Sequence, residues 1–449
     1  MAERRIVIAG LTKAFLGGAW SAEGLTARAL HVLGASEALP SIPPLVERIL
    51  RQFPAAPSRE PSALIDFIAQ DGAFATAHLA APFAIRRPLL VSPTMDPAPG
   101  PPATWDVPTL ATPADLAAWF DIEASELDWF AATQGRAGRT GPGPLAHYTY
   151  RWADKSSGGY RLIEAPKARL KALQRRMLEG ILGRVPIHEA AHGFCRGRGV
   201  LSYASPHAGK ELVLALDLRD FFASVRASRV FAIYRTMGYP DPIARLLTGL
   251  STHAVSSVIW AGAPRPRDAA EVDARFHSGR FYQASHLPQG APTSPALANL
   301  AAFRLDLRLA AAARAAEVTY TRYADDLAFS GDAPFARNAL SFLRIAAQIV
   351  DEEGFALNVR KTRLRGQGVR QRLAGVVVNA LPNVARDEYD RLKATLYNCR
   401  RDGPTAHNRD GHVAYRAHLQ GRVAWVEQVN PERGSKLREI FTGIHWPVA

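Results

Sequence analysis

The sequence predicts an α+β protein whose strands lie in its middle and whose N-terminal extension is mainly helical. Three observations predict this. Apolar residues within 1–90 recur at helical spacings. Strand-like alternation first shows at Tyr148. An apolar run over 212–218, then a hairpin-like pair over 318–323 and 327–330, precede an amphipathic stretch over 336–353.

Each element has a local reason. Pro43-Pro44 suits a helix start, and Leu45, Ile49 and Phe53 follow at intervals of four, widened by Val46 and Leu50. Leu64, Ile65, Phe67 and Ile68 form a second helical face. Seven prolines within 92–113 predict a linker or extended arm. A helix is expected over 113–132, with Leu116, Trp119, Phe120 and Leu127 apolar, and 135–144 is a second flexible stretch. Residues 148–152 alternate as a strand, 155–159 carry turn chemistry, and 160–163 resume the strand. A basic helix is expected over 170–185. Near the C-terminus, Tyr389, Leu392, Leu396 and Cys399 mark one helix, and Tyr415, Leu419, Val423 and Val426 another. The divisions expected are a helical extension (1–90), a Pro-rich linker and helix (91–144), a mixed central region (145–385) and a helical end (386–449).

Composition excludes whole classes of protein. The 449 residues are 47% hydrophobic and 21% charged, so the chain is globular rather than disordered. Cys195 and Cys399 are the only cysteines, too few for a disulfide framework or a Cys-rich zinc site. A reducing, cytoplasmic location is expected. No apolar run reaches about 18 residues, so no membrane span is expected. The apolar run over 6–11, behind Arg4-Arg5, resembles a signal only faintly, because Thr12-Lys13 ends it.

Charge gives the first positive clue. Residues 1–140 hold 11 Lys+Arg and 14 Asp+Glu, a net of −3, while 141–449 hold 44 and 27, a net of +17. That excess points to a polyanionic partner for the C-terminal two-thirds. An Arg-rich genome is the competing explanation, since there are 47 Arg and 8 Lys.

Two segments carry chemistry. In Leu216-Asp217-Leu218-Arg219-Asp220-Phe221-Phe222 an acid leaves a buried strand. In Tyr323-Ala324-Asp325-Asp326-Leu327 two adjacent acids sit between apolar strand arms. Two like charges about 4 Å apart repel by about 4 kcal/mol at an effective dielectric near 20. A hard divalent cation offsets that repulsion, and Mg²⁺ takes oxygen ligands beside substrate phosphates. Three carboxylates can hold two such ions for in-line phosphoryl displacement. A solvated turn is the competing explanation for a bare Asp-Asp pair.

Tyr323-Ala324-Asp325-Asp326 resembles the Tyr-x-Asp-Asp box of reverse transcriptases, and Asp217 matches the other acid of that palm. Leu287-Pro288-Gln289-Gly290-Ala291-Pro292-Thr293-Ser294-Pro295 is similar to the segment between them. Residues 354–362, with Lys361, resemble the segment that carries a lysine beside the active site. Residues 163–174, His192-Gly193-Phe194 and Tyr203-Ala204-Ser205-Pro206-His207 resemble the bacterial retron type, over about 145–445. Tyr203 stands where retron enzymes have Asn, and Leu373-Ala374-Gly375 where they often have Val-Thr-Gly. The N-terminal extension resembles those of longer myxobacterial-type members.

The resemblance implies a right-hand polymerase of fingers, palm and thumb that acts as an RNA-directed DNA polymerase. Asp217, Asp325 and Asp326 would bind two Mg²⁺ ions. Phe222 would be the steric gate favouring dNTPs, or a core residue like adjoining Phe221. Gln289 would contact the incoming nucleotide, and Arg161 and Lys155 would grip its triphosphate. Lys361 would protonate or hold the pyrophosphate. Asp220 reads as structural. His207 would help recognise RNA, or serve as a structural histidine. The thumb cations Arg391, Lys393, Arg400 and Arg401 would track a phosphate backbone. The implied partners are a structured non-coding RNA as template and primer, dNTPs, the RNA–DNA hybrid product and a retron effector protein. Priming from a guanosine 2′-OH, branched RNA-linked DNA and antiphage defence are implied with them. The competing readings are a reverse transcriptase of a group II intron or diversity-generating element, and a catalytically idle RNA-binding scaffold.

Overall fold

The computed structural model describes residues 2–35, 39–57, 61–87, 95, 105–131, 143–155 and 159–446. Pro93, Pro97, Pro99, Pro101 and Pro102 of the expected linker lie outside the described residues, as do most of the stretch over 135–144 and the turn residues Ser156, Ser157 and Gly158. The chain divides into two units, one of residues 1–96, 110–116 and 238–243, the other of the remainder.

The first unit is built on five helices: α1 (Ala2–Leu16), α2 (Ala22–Leu33), α3 (Ile42–Gln52), α4 (Pro61–Gln70) and α5 (Gly72–Ala80). Val7, Leu11, Phe15, Leu25, Leu45, Ile49, Leu64, Ile68 and Phe74 share its core. The apolar run over 6–11 therefore belongs to α1, with Val7, Ile8 and Leu11 in the core and Ile6 exposed. Ile65 stays partly exposed, so the α4 stripe is narrower than the sequence suggests.

The single helix expected over 113–132 is two, α6 (Pro113–Phe120) and α7 (Ala124–Ala131). Asp121 adopts φ 57°, and the Asp121 and Ile122 amides donate back to Ala118 and Ala117 carbonyls. That is a Schellman stop with Asp in the left-handed position.

In the second unit, β1 (Tyr148–Asp154) and β2 (Tyr160–Pro166) form an antiparallel pair running from Tyr148↔Pro166 to Asp154↔Tyr160. Helix α8 (Ala168–Gly180) ends five residues before the expected Val185 and passes into a 3₁₀ turn. Its last residue, Gly180, lies against the Trp119 ring, where a Cβ would stand 2.6 Å away. After α9 (Val200–Ala204) comes the four-stranded antiparallel sheet, ordered β4-β5-β3-β6. Its strands are β3 (Leu212–Asp217), β4 (Thr319–Tyr323), β5 (Asp326–Gly331) and β6 (Arg363–Gly366). Between β3 and β4 the chain forms α10 (Phe221–Ser224), α11 (Ala227–Thr236), α12 (Asp241–Ser251), α13 (Ser257–Ala261), α14 (Ala269–Tyr282), α15 (Ser294–Ala301) and α16 (Phe303–Ala315). Helix α17 (Ala333–Glu352) packs on β3 and β5, with Phe342 edge-on to Phe329 at 5.0 Å.

A small hairpin follows, β7 (Arg372–Leu373) and β8 (Val376–Val377). Its two-residue loop, Ala374-Gly375, has φ 43° and 92°. Two positive values in a two-residue loop define the type I′ geometry that matches strand twist. The departure at Leu373-Ala374 thus forms an ordered turn. The C-terminal helices are α18 (Arg386–Asp402), α19 (Tyr415–Val429) and α20 (Pro431–Thr442). The sequence reading missed α20, which closes on α19 at Gly434, where a Cβ would stand 2.2 Å from Glu427 Cα. These helices share one core with Tyr203, Val213, Ala328 and Val376. No helix among the described residues is long and apolar enough to cross a membrane.

Candidate active site

Strand register brings the acids together. Asp217 ends β3 directly opposite Asp326, the first residue of β5. Directly opposed residues of an antiparallel pair project to one face, with Cβ atoms about 4.5–5.5 Å apart. Tyr323 pairs with Asp326, so Ala324-Asp325 is a two-residue hairpin loop. The Leu218 amide donates to the Asp325 carbonyl at 2.8 Å, which ties that loop to the end of β3.

The crowding of negative charge is visible in the proton affinities. Burial, then Asp325 and Asp217, pushes the Asp326 carboxyl up to about 7. Burial and Asp217 raise Asp325, while Lys361 and Arg161 hold it down. The Lys361 ammonium donates to Asp217 Oδ1 at 2.7 Å. Burial alone would lower its affinity for a proton, but Asp217 and the two other carboxylates raise it. The lysine is placed by the chain just beyond β3, where the Asn358 amide donates to the Asp217 carbonyl and the Arg219 amide to Ala356, both at 2.7 Å.

Among the described residues, no three His, Cys, Asp or Glu side chains form a ready-made metal cluster. Asp217 instead faces Lys361. The donor chemistry nevertheless fits Mg²⁺: three carboxylates, of which Asp325 and Asp326 hold protons more tightly than ordinary solvated ones.

The other expected site residues occupy distinct positions. Phe222 is half-buried, while Phe221 is the core residue of the two, 4% exposed and 5.7 Å from the Phe355 ring. Arg161 is exposed on β2, and its charge reaches Asp325. Lys155 lines a recess of about 190 Å³ with Trp152, Asp220, Trp260, Tyr282 and Arg360. Asp220, at φ 49°, accepts from Ser278 Oγ at 2.9 Å, a structural role. Gln289 is half-buried, and its carbonyl accepts from the Glu164 amide at 2.9 Å. Gly290 is required beside it: φ is 137°, and a Cβ would stand 2.9 Å from the Glu164 carbonyl.

His207 has the surroundings of the structural histidine that was the alternative to RNA recognition. It is wholly buried, with Nδ1 bonded to Ser330 Oγ at 2.6 Å and Nε2 to Thr321 Oγ1 at 2.8 Å. Burial lowers its pKa to about 3, so it is a neutral brace between β4 and β5. Tyr203, in place of Asn, packs its buried ring 5.7 Å from that of Tyr323.

Sequence reasoning missed the braces behind the acids. Arg322 and Asp306 are both fully buried and form a bidentate pair at 2.7 and 2.6 Å. The remaining arm of Arg322 donates to the Ala324 carbonyl and to Asn299 Oδ1, each at 3.0 Å. Ala324 has φ 55°, so this guanidinium holds a strained loop in place. A second buried pair, His286–Glu164 at 3.0 Å, anchors the Gln289 segment to β2. Their partners lie 16 and 122 residues apart, beyond any local pattern.

This constellation, on a mixed helical and antiparallel fold, defines a nucleic-acid polymerase of right-hand type. The family model Reverse transcriptase (RNA-dependent DNA polymerase) matches residues 153–373. The chain is 39% identical to the retron Mx65 reverse transcriptase of Myxococcus xanthus over 75% of its own length and 72% of the relative's. It is 36% identical to the retron Mx162 reverse transcriptase of the same organism, over 71% and 64%, and 29% identical to the retron Ec86 reverse transcriptase of Escherichia coli, over 53% and 65%. The chain belongs to the retron reverse transcriptases, which are RNA-directed DNA polymerases.

Proposed function

We propose that this polymerase copies a structured non-coding RNA into branched, RNA-linked single-stranded DNA, starting from an internal guanosine 2′-OH, and that it serves antiphage defence with an effector protein. The observation that carries the chemistry is the opposition of Asp217 and Asp326 across β3 and β5, with Asp325 in the adjoining loop. Two Mg²⁺ ions bound by Asp217, Asp325 and Asp326 would activate the attacking hydroxyl and stabilise the leaving oxygen. The hydroxyl oxygen bonds to the α-phosphorus of a dNTP as the bond to pyrophosphate breaks. Lys361, which donates to Asp217, would give a proton to that leaving group or hold it. Arg161 and Lys155 hold the triphosphate, and Gln289 orients the nucleotide. Residues 145–385 act as fingers and palm, and 386–449 as the thumb. Its exposed Arg391, Lys393, Arg400 and Arg401 follow phosphates without reading sequence.

The priming chemistry has a direct test. Produced with its native upstream RNA, the enzyme is expected to yield short DNA whose gel mobility shifts after RNase and again after debranching enzyme. Product indifferent to debranching would mean 3′-OH priming and would overturn the 2′-OH assignment.

Phe222 has its own. Its ring is left partly open, while Phe221 fills the core, so it can exclude a ribose 2′-OH. Phe222→Ala is expected to raise the rNTP-to-dNTP ratio of kcat/KM at least about tenfold. An unchanged ratio removes Phe222 from the gate.

A further inference from the structure

Phe194 has no part in the chemistry above, yet the chain holds it in an unfavourable conformation. Its φ is 61°. A bulky side chain is a genuine outlier there, and such strain persists only where the surroundings impose it. Glycine would take the position without strain. The surroundings impose the conformation. The His192 amide donates to the Arg322 carbonyl at 2.7 Å, and the Arg322 amide to Ala190 at 2.7 Å. The Gly193 carbonyl accepts from Asn299 Nδ2 at 2.9 Å and from Cys195 Sγ at 3.0 Å. Gly193 itself presses on the acid-bearing loop, since a Cβ there would stand 2.5 Å from the Ala324 nitrogen.

Core packing does not account for the ring, which is 50% exposed. Its aromatic neighbours are Phe222 at 6.0 Å and Tyr323 at 6.5 Å. Those two residues flank the carboxylates in sequence: Phe222 follows Asp217, and Tyr323 precedes Asp325. A rigid ring with an open face beside such a site suits a flat, uncharged partner, and every nucleobase offers one. Phe222 takes the incoming sugar, whereas Phe194 also reaches Tyr323, on the side of the hairpin loop.

We infer that Phe194 is a stacking platform for the nucleobase at the growing 3′ end of the DNA strand. The inference rests on the assignment of Asp217, Asp325 and Asp326 as the nucleotidyl-transfer site.

The test uses the full chain and an RNA template annealed to a DNA primer with either a normal or an abasic 3′-terminal nucleotide. Duplex affinity is measured by fluorescence anisotropy without dNTP. Wild type and Phe194→Tyr are expected to bind the abasic duplex about tenfold more weakly than the intact one. Phe194→Gly, which keeps the backbone conformation and removes the ring, is expected to bind both alike, at the weaker level. Its thermal midpoint should equal or exceed that of wild type, because the strain is gone. An abasic penalty of the same size in wild type and Phe194→Gly overturns the inference. So does a Phe194→Gly variant that binds both duplexes as wild type does but has a raised KM for dNTP, which would place the ring against the incoming nucleotide. Failure of the carboxylate assignment is read separately, as DNA synthesis surviving the loss of Asp325 and Asp326.

Discussion

Asparagine at both Asp325 and Asp326 is expected to abolish DNA synthesis, with a loss of at least about a thousandfold, while RNA binding stays largely intact. Charge stabilisation at a two-metal centre contributes several kcal/mol to the barrier, and about 4 kcal/mol is a thousandfold in rate. RNA binding is expected to draw on the net charge of +17 over 141–449, which the substitutions do not reduce. Stability gives an internal control. The Asp326 carboxyl is pushed up to about 7 by burial and its neighbours, so the folded state disfavours its charge above that pH. Removing the charge should leave the thermal midpoint at pH 8 equal to or above that of wild type. Full synthesis by a folded double variant would refute the assignment of both acids.

Arg322→Met is expected to destabilise the protein by about 3–5 kcal/mol, because it strands the Asp306 carboxylate in a fully buried site. That corresponds to a fall of roughly 10 °C in thermal midpoint. A second variant separates structure from positioning. Arg322→Met with Asp306→Leu removes both charges and should recover much of the lost stability, as replacement of buried ion pairs by apolar groups often does. Synthesis should stay depressed, because the Ala324 carbonyl has lost its donor and the strained loop is free to relax. If the double variant recovers rate along with stability, Arg322 does no more than fill space.

The elements most legible in the sequence were those with local causes. The stripe of Leu45, Val46 and Ile49 requires only helical periodicity, and all three are buried. The hairpin carrying Asp325 and Asp326 was legible because apolar arms flank a short polar pair. The break at Asp121 was not, since an aspartate in the left-handed position leaves no apolar signature. The acids themselves were identifiable from residue type and order. The groups that hold them were not, because Arg322 and Asp306 meet only after β4 has packed against α16. His207 stayed open between two roles for a related reason: a histidine beside a polar motif has the same sequence signature whether it faces solvent or braces a sheet. Its hydroxyl partners, Thr321 and Ser330, lie more than 110 residues away.

The shared core of the three C-terminal helices has a consequence for how this family can be recombined. Val423, Leu437 and Leu396 lie in the same apolar cluster as Val213 on β3, Ala328 on β5 and Tyr203 ahead of them. The helices are therefore not a detachable module. A chimera that imports them from a relative must also bring the residues behind the sheet, or it will join two half-cores that were never fitted to each other. The same dependence limits how freely these helices can swing. Any wide excursion would open a seam behind the strands that carry Asp217 and Asp326, so the seating of the helices and the alignment of the acids are inherited, and lost, together.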